Sequence, residues 1–193
     1  MEEGASGFSL VPNNNAQRTL ILGRAGTEEP VLFTVREDFS LGSSSNAWGP
    51  VNVNADWNVL VANGKTLNVY GALNSSGRTI TVGGEGFSGT LVLNNAANAS
   101  MTAEWVITSG STVRCMNNSA LGSGLVTLDG GTLDFNSQTI GSTITLNMSG
   151  TGTLQNVTVD GAILSYTSSS GNDGITASNT CLLYTSPSPR DTR

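Results

Sequence analysis

Histidine is absent from this chain of 193 residues, and lysine occurs once, at Lys65. Without histidine, the imidazole bases and nucleophile triads that many hydrolases use are excluded in their usual form. Charged residues make up only 11% of the chain, the formal net charge is −6, and the eight basic residues are scattered. Nucleic-acid binding requires a cluster of basic side chains. We therefore expect no nucleic-acid partner.

Long apolar runs and proline are also scarce. No run approaches the roughly 18 consecutive apolar residues of a membrane helix, and residues 51–180 contain no proline. The lack of proline fits a region where neighbouring strands use nearly every backbone N–H. Gly, Asn, Ser and Thr separate short apolar segments, a composition that disfavours helices and suits strands and turns. Disorder is the alternative for so polar a chain, but disordered chains lack regular Leu, Val and Ile.

The two ends of the chain carry little information about fold. Met1-Glu2-Glu3 does not begin a signal peptide, so the protein is either cytoplasmic or lacks its true N-terminus, and we favour the second. Residues 181–191, CLLYTSPSPRD, resemble the read-through translation of a transposon-type sequencing adapter, with a natural Pro-rich linker as the alternative. We predict that residues 181–193 are a non-native, disordered tail that includes Cys181. Cys115 is then a free thiol that fills the core.

A short signature recurs through the middle of the chain: Gly or Ser, any residue, Thr, then Leu or Val. Its copies follow one another in steps of 24, 22, 20 and 21 residues. A regular period of this size predicts a solenoid of stacked coils. Short strands separated by Gly, Asn, Asp or Ser leave no room for a helix. The copies are Gly64–Leu67, Ser88–Leu91, Gly110–Val113, Gly130–Leu133 and, with Thr at the first place, Thr151–Leu154.

Stacking the coils by this period predicts which side chains face inward, because alternate residues of a strand share a face. Glycine corners between strands are predicted to need positive φ or close backbone approach. Asn156 is the polar exception among the inward positions and marks either a corner or a ladder of amides. The first inward column is Leu67, Leu91, Val113, Leu133 and Leu154; the second is Val69, Leu93, Cys115, Phe135 and Asn156; the outward set is Asn68, Val92, Arg114, Asp134 and Gln155.

Residues 1–50 differ from the rest, since they hold three of the five prolines and six of the fourteen acidic residues. Two strands are predicted there, Arg18–Leu22 and Val31–Val35. We interpret this segment as irregular or early-coil β structure, with the end of another module as the alternative. The β-helix repeats are predicted to occupy residues 51–180.

The segment Leu121–Asn136, LGSGLVTLDGGTLDFN, resembles the autotransporter-associated β-strand repeat, whose typical form reads LGSGTVTLNGGTLDLNG. Weaker similarity extends over residues 60–165. The resemblance implies an all-β, right-handed parallel β-helix of about 20–24 residues per coil, in the exported passenger region of a bacterial surface protein. The family supplies no catalytic residues. Nothing here matches an outer-membrane barrel, so the translocating part is expected to be missing from this fragment.

The resemblance therefore predicts a non-enzymatic structural or adhesive segment, secreted or displayed on a Gram-negative type of cell surface. A host surface or a polysaccharide is the expected partner. Membrane attachment is expected only through the missing anchoring domain.

The alternative function is a carbohydrate-active β-helix enzyme, either a polysaccharide lyase or a glycosidase. Its carboxylates would be Asp129, Asp134 and Asp160, with Arg114 beside them. A paired site needs two such groups about 5–10 Å apart, one with a raised pKa. We favour a simpler interpretation, in which Asp129 and Asp160 are turn residues and Asp134 is an outward strand residue. The only lysine, Lys65, lies in a signature turn, which weakens the lyase hypothesis.

Two further sequence features resemble parts of binding sites. Gly83–Ser88 partly resembles a calcium-binding nonapeptide, but Ser88 replaces the ligand aspartate, so we predict a plain loop. Three tryptophans and Tyr70 are candidates for a sugar-stacking platform, but their irregular spacing predicts no shared column and favours core or edge packing. The tryptophans are Trp48, Trp57 and Trp105. We therefore predict no catalytic, cofactor-binding or metal-ligating residue and no cofactor.

Overall fold

The structure is a computed structural model that describes residues 8–10, 19–24, 26, 29–45, 50–95, 98, 101–108, 110–140, 144–149, 151–156, 158–159, 164–168 and 174–178. These residues contain twenty strands and no helix. Accordingly, no described segment forms a helix that could cross a membrane. The predicted tail, residues 181–193, lies outside the described residues.

Two large sheets and two small ones make up the fold. The eight-stranded sheet stacks β1 (Phe8–Leu10), β4 (Phe39–Leu41), β7 (Thr66–Val69), β10 (Thr90–Leu93), β12 (Thr112–Cys115), β14 (Thr132–Asp134), β17 (Thr151–Gln155) and β20 (Gly174–Ser178). The seven-stranded sheet stacks β3 (Val31–Val35), β6 (Trp57–Val61), β9 (Ser76–Val82), β11 (Thr102–Thr108), β13 (Leu125–Asp129), β16 (Ile144–Met148) and β19 (Leu164–Ser168). The small sheets contain β2 (Leu20–Leu22), β5 (Val51–Val53) and β8 (Leu73–Asn74), and β15 (Thr139–Ile140) with β18 (Thr158–Val159).

The chain alternates between the two large sheets, so each coil adds one strand to each of them. The described strands pair in parallel, from β2 on β5 to β17 on β20. Strands that return to the same sheet once per coil and pair in parallel define a β-solenoid. Each coil contains about 23 residues. The predicted all-β parallel architecture is confirmed, and the handedness of the coil stays a prediction.

The predicted columns match the observed strand register. Leu91 pairs with Leu67 on one side and Val113 on the other, and the column continues through Leu133 to Leu154. All five side chains are fully buried. The last residues of the five signatures therefore form one continuous core column, as the period predicted.

The second sheet contains an inward column that the sequence analysis missed. Trp57 pairs with Ile80, and Ile80 pairs with Trp105. Both indoles are fully buried. The prediction that the tryptophans share no column is therefore wrong for this pair, since Trp57 and Trp105 lie two coils apart in the same column. The preference for core packing is confirmed for both of them.

Glycine corners join the strands of the two sheets. Gly64, Gly110 and Gly130 occupy the first place of the signature and have φ values of 71°, 80° and 75°. Gly131 occupies the second place, where a Cβ atom would lie 2.5 Å from the carbonyl oxygen of Ile107 in the previous coil. The first position of the signature thus requires a left-handed backbone, and the second position leaves no space for a Cβ atom. Both predicted roles of glycine are confirmed.

Asn98 continues the stack of the small sheet β2-β5-β8 beyond β8. Its Oδ1 accepts the Leu73 amide N–H at 2.7 Å, and its Nδ2 donates to the Ala120 carbonyl at 2.8 Å. These two partners belong to the preceding and following coils, and Asn98 is almost fully buried. Because an amide side chain carries the same donor and acceptor as a peptide group, it continues the hydrogen-bonded stack from one coil to the next.

The strands before residue 50 belong to the same stack. β2 pairs in parallel with β5, β3 with β6, and β4 with β7. The predicted strand Val31–Val35 is observed with those bounds, and Leu20–Leu22 lies inside the other predicted strand. We call β2, β3 and β4 the first coil, and the coils between β6 and β14 the middle coils.

Candidate functional site

Asp134 is the best-organised polar group on the outer side of the eight-stranded sheet. It follows Leu133 in β14 and pairs in register with Arg114 of β12 and Gln155 of β17. Its Oδ2 accepts a hydrogen bond from Arg114 Nε at 2.8 Å. Its Oδ1 accepts one from the Asn136 backbone N–H at 2.9 Å and one from Asn156 Nδ2 at 2.8 Å. Three coils therefore converge on one carboxylate.

This carboxylate was predicted to point outward, and the structure corrects the environment expected for such a residue. The side chain of Asp134 is only 3% exposed, whereas that of Arg114 is 44% exposed. The Arg114 side chain and Asn156 lie against Asp134 from neighbouring coils and shield it from water. Position on the outer face therefore does not make Asp134 accessible to a substrate.

The pKa of Asp134 reflects opposing effects. Burial by itself raises this pKa, but hydrogen bonds from Asn156, from the Asn136 amide and from Arg114, together with the charge of Arg114, lower it further than burial raises it. The net result is a pKa below the ordinary value of 3.8, because each donor stabilises the charged form. A glycosidase acid needs the opposite shift, toward a raised pKa. Near neutral pH, Asp134 is thus an anion that ties coils together.

The other members of the proposed enzymatic cluster do not join Asp134 in one sheet. Asp129 ends β13 in the seven-stranded sheet and is exposed, while Asp134 lies in the eight-stranded sheet beyond the Gly130-Gly131 corner. Asp160 lies outside the described residues. The structure brings Arg114 and Asp134 together and leaves Asp129 on a different face.

Lys65, the only lysine, is held at a corner of the first two coils. Its Nζ donates to Glu37, and this contact raises the pKa of Lys65. Asp38, the next residue along, accepts the Thr66 amide N–H at 2.8 Å. The lysine therefore remains protonated and paired, which is unsuited to the base of a lyase.

Cys115 lies in the second inward column, as predicted, and is almost fully buried. Burial raises the pKa of its thiol far above the ordinary value, and the negative charge of Asp134 adds to the effect. A thiol that stays protonated is neither a nucleophile nor a metal ligand. Cys115 therefore fills the core; Cys181 lies outside the described residues.

The glycine-rich segment Gly83–Ser88 forms the loop between β9 and β10. The Phe87 amide N–H donates to the Gly84 carbonyl at 2.9 Å, which closes a tight turn, and the Arg36 guanidinium lies 6.0 Å from the centre of the Phe87 ring. Ser88 Oγ donates to Asn63 Oδ1 at 2.8 Å. In the part of the chain that the structure describes, no three His, Cys, Asp or Glu residues are placed to hold a metal ion.

The aromatic residues do not form a platform among the described residues. Trp57 and Trp105 lie in the core, and Trp105 Nε1 donates to the Leu121 carbonyl at 3.0 Å. Tyr70 is partly buried beside β7. Trp48 lies outside the described residues. Aromatic stacking on a sugar needs exposed rings, which Trp57 and Trp105 do not provide.

Asn136 and Asn156 are the residues of this site that sequence reasoning used least. Both have left-handed backbone, with φ values of 48° and 51°, so both lie at corners just after β14 and β17. Of the two alternatives for Asn156, the corner is the one observed. The signal in the sequence was the Asp-x-Asn spacing of Asp134 and Asn136, which is typical of an aspartate that accepts the backbone N–H two residues on.

Comparison with protein-family models, with curated proteins and with solved structures finds no match for this chain. The chain is a β-solenoid repeat protein by its own structure. Any narrower assignment depends on the sequence resemblance and on the site geometry given above.

Proposed function

We propose that this chain is a non-enzymatic structural or adhesive segment of an exported bacterial surface protein of the autotransporter-passenger type. The observation that carries the proposal is the unbroken inward column from Leu67 to Leu154, combined with polar groups that are used to join coils. Asp134 and Asn98 each bond to neighbouring coils on both sides. Residues that a binding or catalytic site would use are thus committed to stacking.

A stack of this kind suits a rod-like spacer. Each coil contacts mainly its neighbours, so length grows with coil number without a change in cross-section. Strands in successive coils lie about 4.8 Å apart, so the eight strands from Phe8–Leu10 to Gly174–Ser178 extend about 34 Å along the axis. A host surface or a polysaccharide is the partner that we propose for the outer faces.

Location is the direct test of this proposal. Antibody labelling of intact cells that express the full-length gene should stain the outer surface, and protease added outside should remove the signal. A cytoplasmic protein that resists external protease until the cells are lysed would contradict the proposal. A cytoplasmic protein of similar size, followed in the same cells, controls for leakage.

Enzymatic activity is the competing prediction, and it has its own assay. The purified chain is incubated with a panel of acidic and neutral polysaccharides, and new reducing ends and unsaturated uronates are measured. We expect none above the level of the Asp134→Asn and Asp129→Asn variants. Product formation that either variant abolishes would favour the carbohydrate-active enzyme.

A further inference from the structure

Asn63 and Gly64 form the exposed tip of the corner between β6 and β7. The Lys65 amide N–H donates to the Ala62 carbonyl at 2.9 Å, and Gly64 has a φ of 71°, as in a type II turn with glycine at its third position. No atom lies within 4 Å of a Cβ atom added to Gly64. Among the described residues, the Gly64 amide N–H has no acceptor. The peptide nitrogen of Gly64 therefore has room to move.

Ser88 of the next coil holds the side-chain carbonyl of Asn63 with two donors. Its backbone N–H donates to Asn63 Oδ1 at 2.9 Å, and its hydroxyl donates to the same oxygen at 2.8 Å. Ser88 is held in place because the next amide N–H, of Gly89, donates to the Val61 carbonyl at 2.9 Å. Two donors on one carbonyl oxygen stabilise the negative charge that an attacking nucleophile places on that oxygen. The Asn63 carboxamide is thus polarised as an electrophile.

A nucleophile lies beside this carboxamide in the chain itself. The Gly64 nitrogen is linked to Asn63 Cγ through C, Cα and Cβ of Asn63, so a bond between the two atoms closes a five-membered ring. Attack within one molecule needs no encounter between two reactants. A side chain on the residue after the asparagine would crowd this ring, and glycine has none. Asn63-Gly64 is the only Asn-Gly pair in the chain.

We propose that Asn63 is a site of self-modification, where the chain converts this asparagine to aspartate and isoaspartate through a cyclic imide, with Ser88 stabilising the charge on Oδ1. The Gly64 nitrogen loses its proton and bonds to Asn63 Cγ, and the side-chain nitrogen leaves as ammonia. Water then adds to one of the two imide carbonyls and breaks its C–N bond. No atom is oxidised or reduced, and water is the only co-reactant. The modification is independent of the spacer role.

The two products change the corner in different ways. Cleavage of the bond to Cγ gives aspartate, which keeps an acceptor for Ser88 and adds one negative charge. Cleavage of the other bond gives isoaspartate, whose main chain runs through Cβ and Cγ and is one carbon longer between Ala62 and Gly64. The Lys65 carbonyl accepts the Thr90 amide N–H of the next coil at 2.9 Å. Isoaspartate therefore disturbs both the turn and the contact between two coils.

The test incubates the freshly purified full chain at neutral pH and follows the Asn63 peptide by mass spectrometry, with isoaspartate measured by enzymatic methyl transfer. Ser88→Ala and Ser88→Gly remove the hydroxyl donor and keep the N–H. Glycine occupies this place in three other copies of the signature, so Ser88→Gly suits the stack. We expect both variants to convert at least about threefold more slowly than the wild-type chain. Ser88→Thr keeps the hydroxyl and should convert at the wild-type rate.

Two controls separate the fold from the sequence. Asn63→Ser places at this corner the residue that precedes glycine at Ser109, and it should form no isoaspartate there. In concentrated urea the contact with Ser88 is lost, so the wild-type chain and Ser88→Ala should convert equally fast. Three results would overturn the proposal: no conversion at Asn63 in the folded chain, equal or faster conversion in both hydroxyl-deleted variants, and a difference between wild type and Ser88→Ala that persists in urea.

Discussion

The middle coils and the first coil are built from the same kind of strand but differ in how completely their inward side chains are covered. Trp57, Ile80 and Trp105 each have a coil on both sides and are fully buried. Val31 and Phe33, at the end of the same columns, have a described coil on one side only and are partly buried. The stability of a coil therefore depends on its neighbours more than on its own sequence, as expected for a stack of repeats.

The largest predicted difference between the two regions comes from removing an aromatic side chain. Trp105→Ala should destabilise the fold by about 3–5 kcal/mol, because it opens a cavity between two coils and removes the bond to the Leu121 carbonyl. Phe33→Ala should cost about 1–2 kcal/mol, because the ring is only partly removed from water. Urea unfolding followed by circular dichroism measures both. Equal losses of stability would mean that the inward side chains of the first coil are covered as completely as those of the middle coils.

A smaller effect is expected at the glycines. Gly131→Ala should cost about 1–3 kcal/mol, because the new Cβ overlaps the backbone of Ile107. Gly26, between β2 and β3, has a φ of 81° and no atom within 4 Å of an added Cβ. Gly26→Ala should therefore show only the backbone strain, about 1 kcal/mol. Thermal unfolding of the two variants compares them, and a larger loss for Gly26→Ala would refute the tight stacking at Gly131.

Acid should affect the middle coils through Asp134. Its folded pKa lies below the ordinary 3.8, so its stabilising contribution is present above about pH 4 and disappears as the pH falls through the folded value. Asp134→Asn should be less stable than the wild-type chain by about 1–2 kcal/mol near pH 6, and this gap should narrow near pH 2.5. Urea titrations across that pH range measure the gap.

The control for the acid prediction replaces a side chain that does not titrate. Asn63→Ala removes the acceptor of the Ser88 amide N–H at an exposed site, so its stability relative to the wild-type chain should not change with pH. A gap for Asp134→Asn that stays constant, or widens, on acidification would show that Asp134 is not ionised in the fold.

The smallest effect is expected at Leu32. Leu32→Thr should change stability by less than about 0.5 kcal/mol, because the side chain is 63% exposed and Thr81 already occupies the same outward column two coils on. Size-exclusion chromatography and thermal unfolding test this. A marked loss of stability would show that Leu32 is covered in solution.

The inward columns could be predicted because they depend on one period and one alternation. The small sheet β2-β5-β8 could not be predicted, since β5 and β8 have only three and two residues and the next bond in this stack is made by the side chain of Asn98. The column that contains Trp57 and Trp105 was not predicted, because these two residues are separated by two coils of unequal length. Asp134 looked accessible because its shielding by Arg114 and Asn156 depends on neighbouring coils, which the sequence order separates by about a full period.

The proposed function depends more on the resemblance to the autotransporter-associated β-strand repeat than on the geometry of the candidate site. The corner role of Asp129 and the core role of Cys115 follow from local patterns, such as Asp before Gly and an apolar position in an alternating strand. A partner has no such pattern in this chain. At outward positions such as Asn68 and Gln155, many polar residue types would keep the surface soluble. The residue found there therefore gives little information about a binding partner.

The corners differ in length, which shows where such a chain can accept insertions in its sequence. Seven residues separate β9 from β10, yet only two separate β13 from β14, and both pairs of strands keep the same columns in register. An insertion at a corner therefore lengthens a surface loop and leaves the stack intact, whereas one inserted residue within a strand would reverse every side chain after it. New surface features can be acquired at the corners without a new fold.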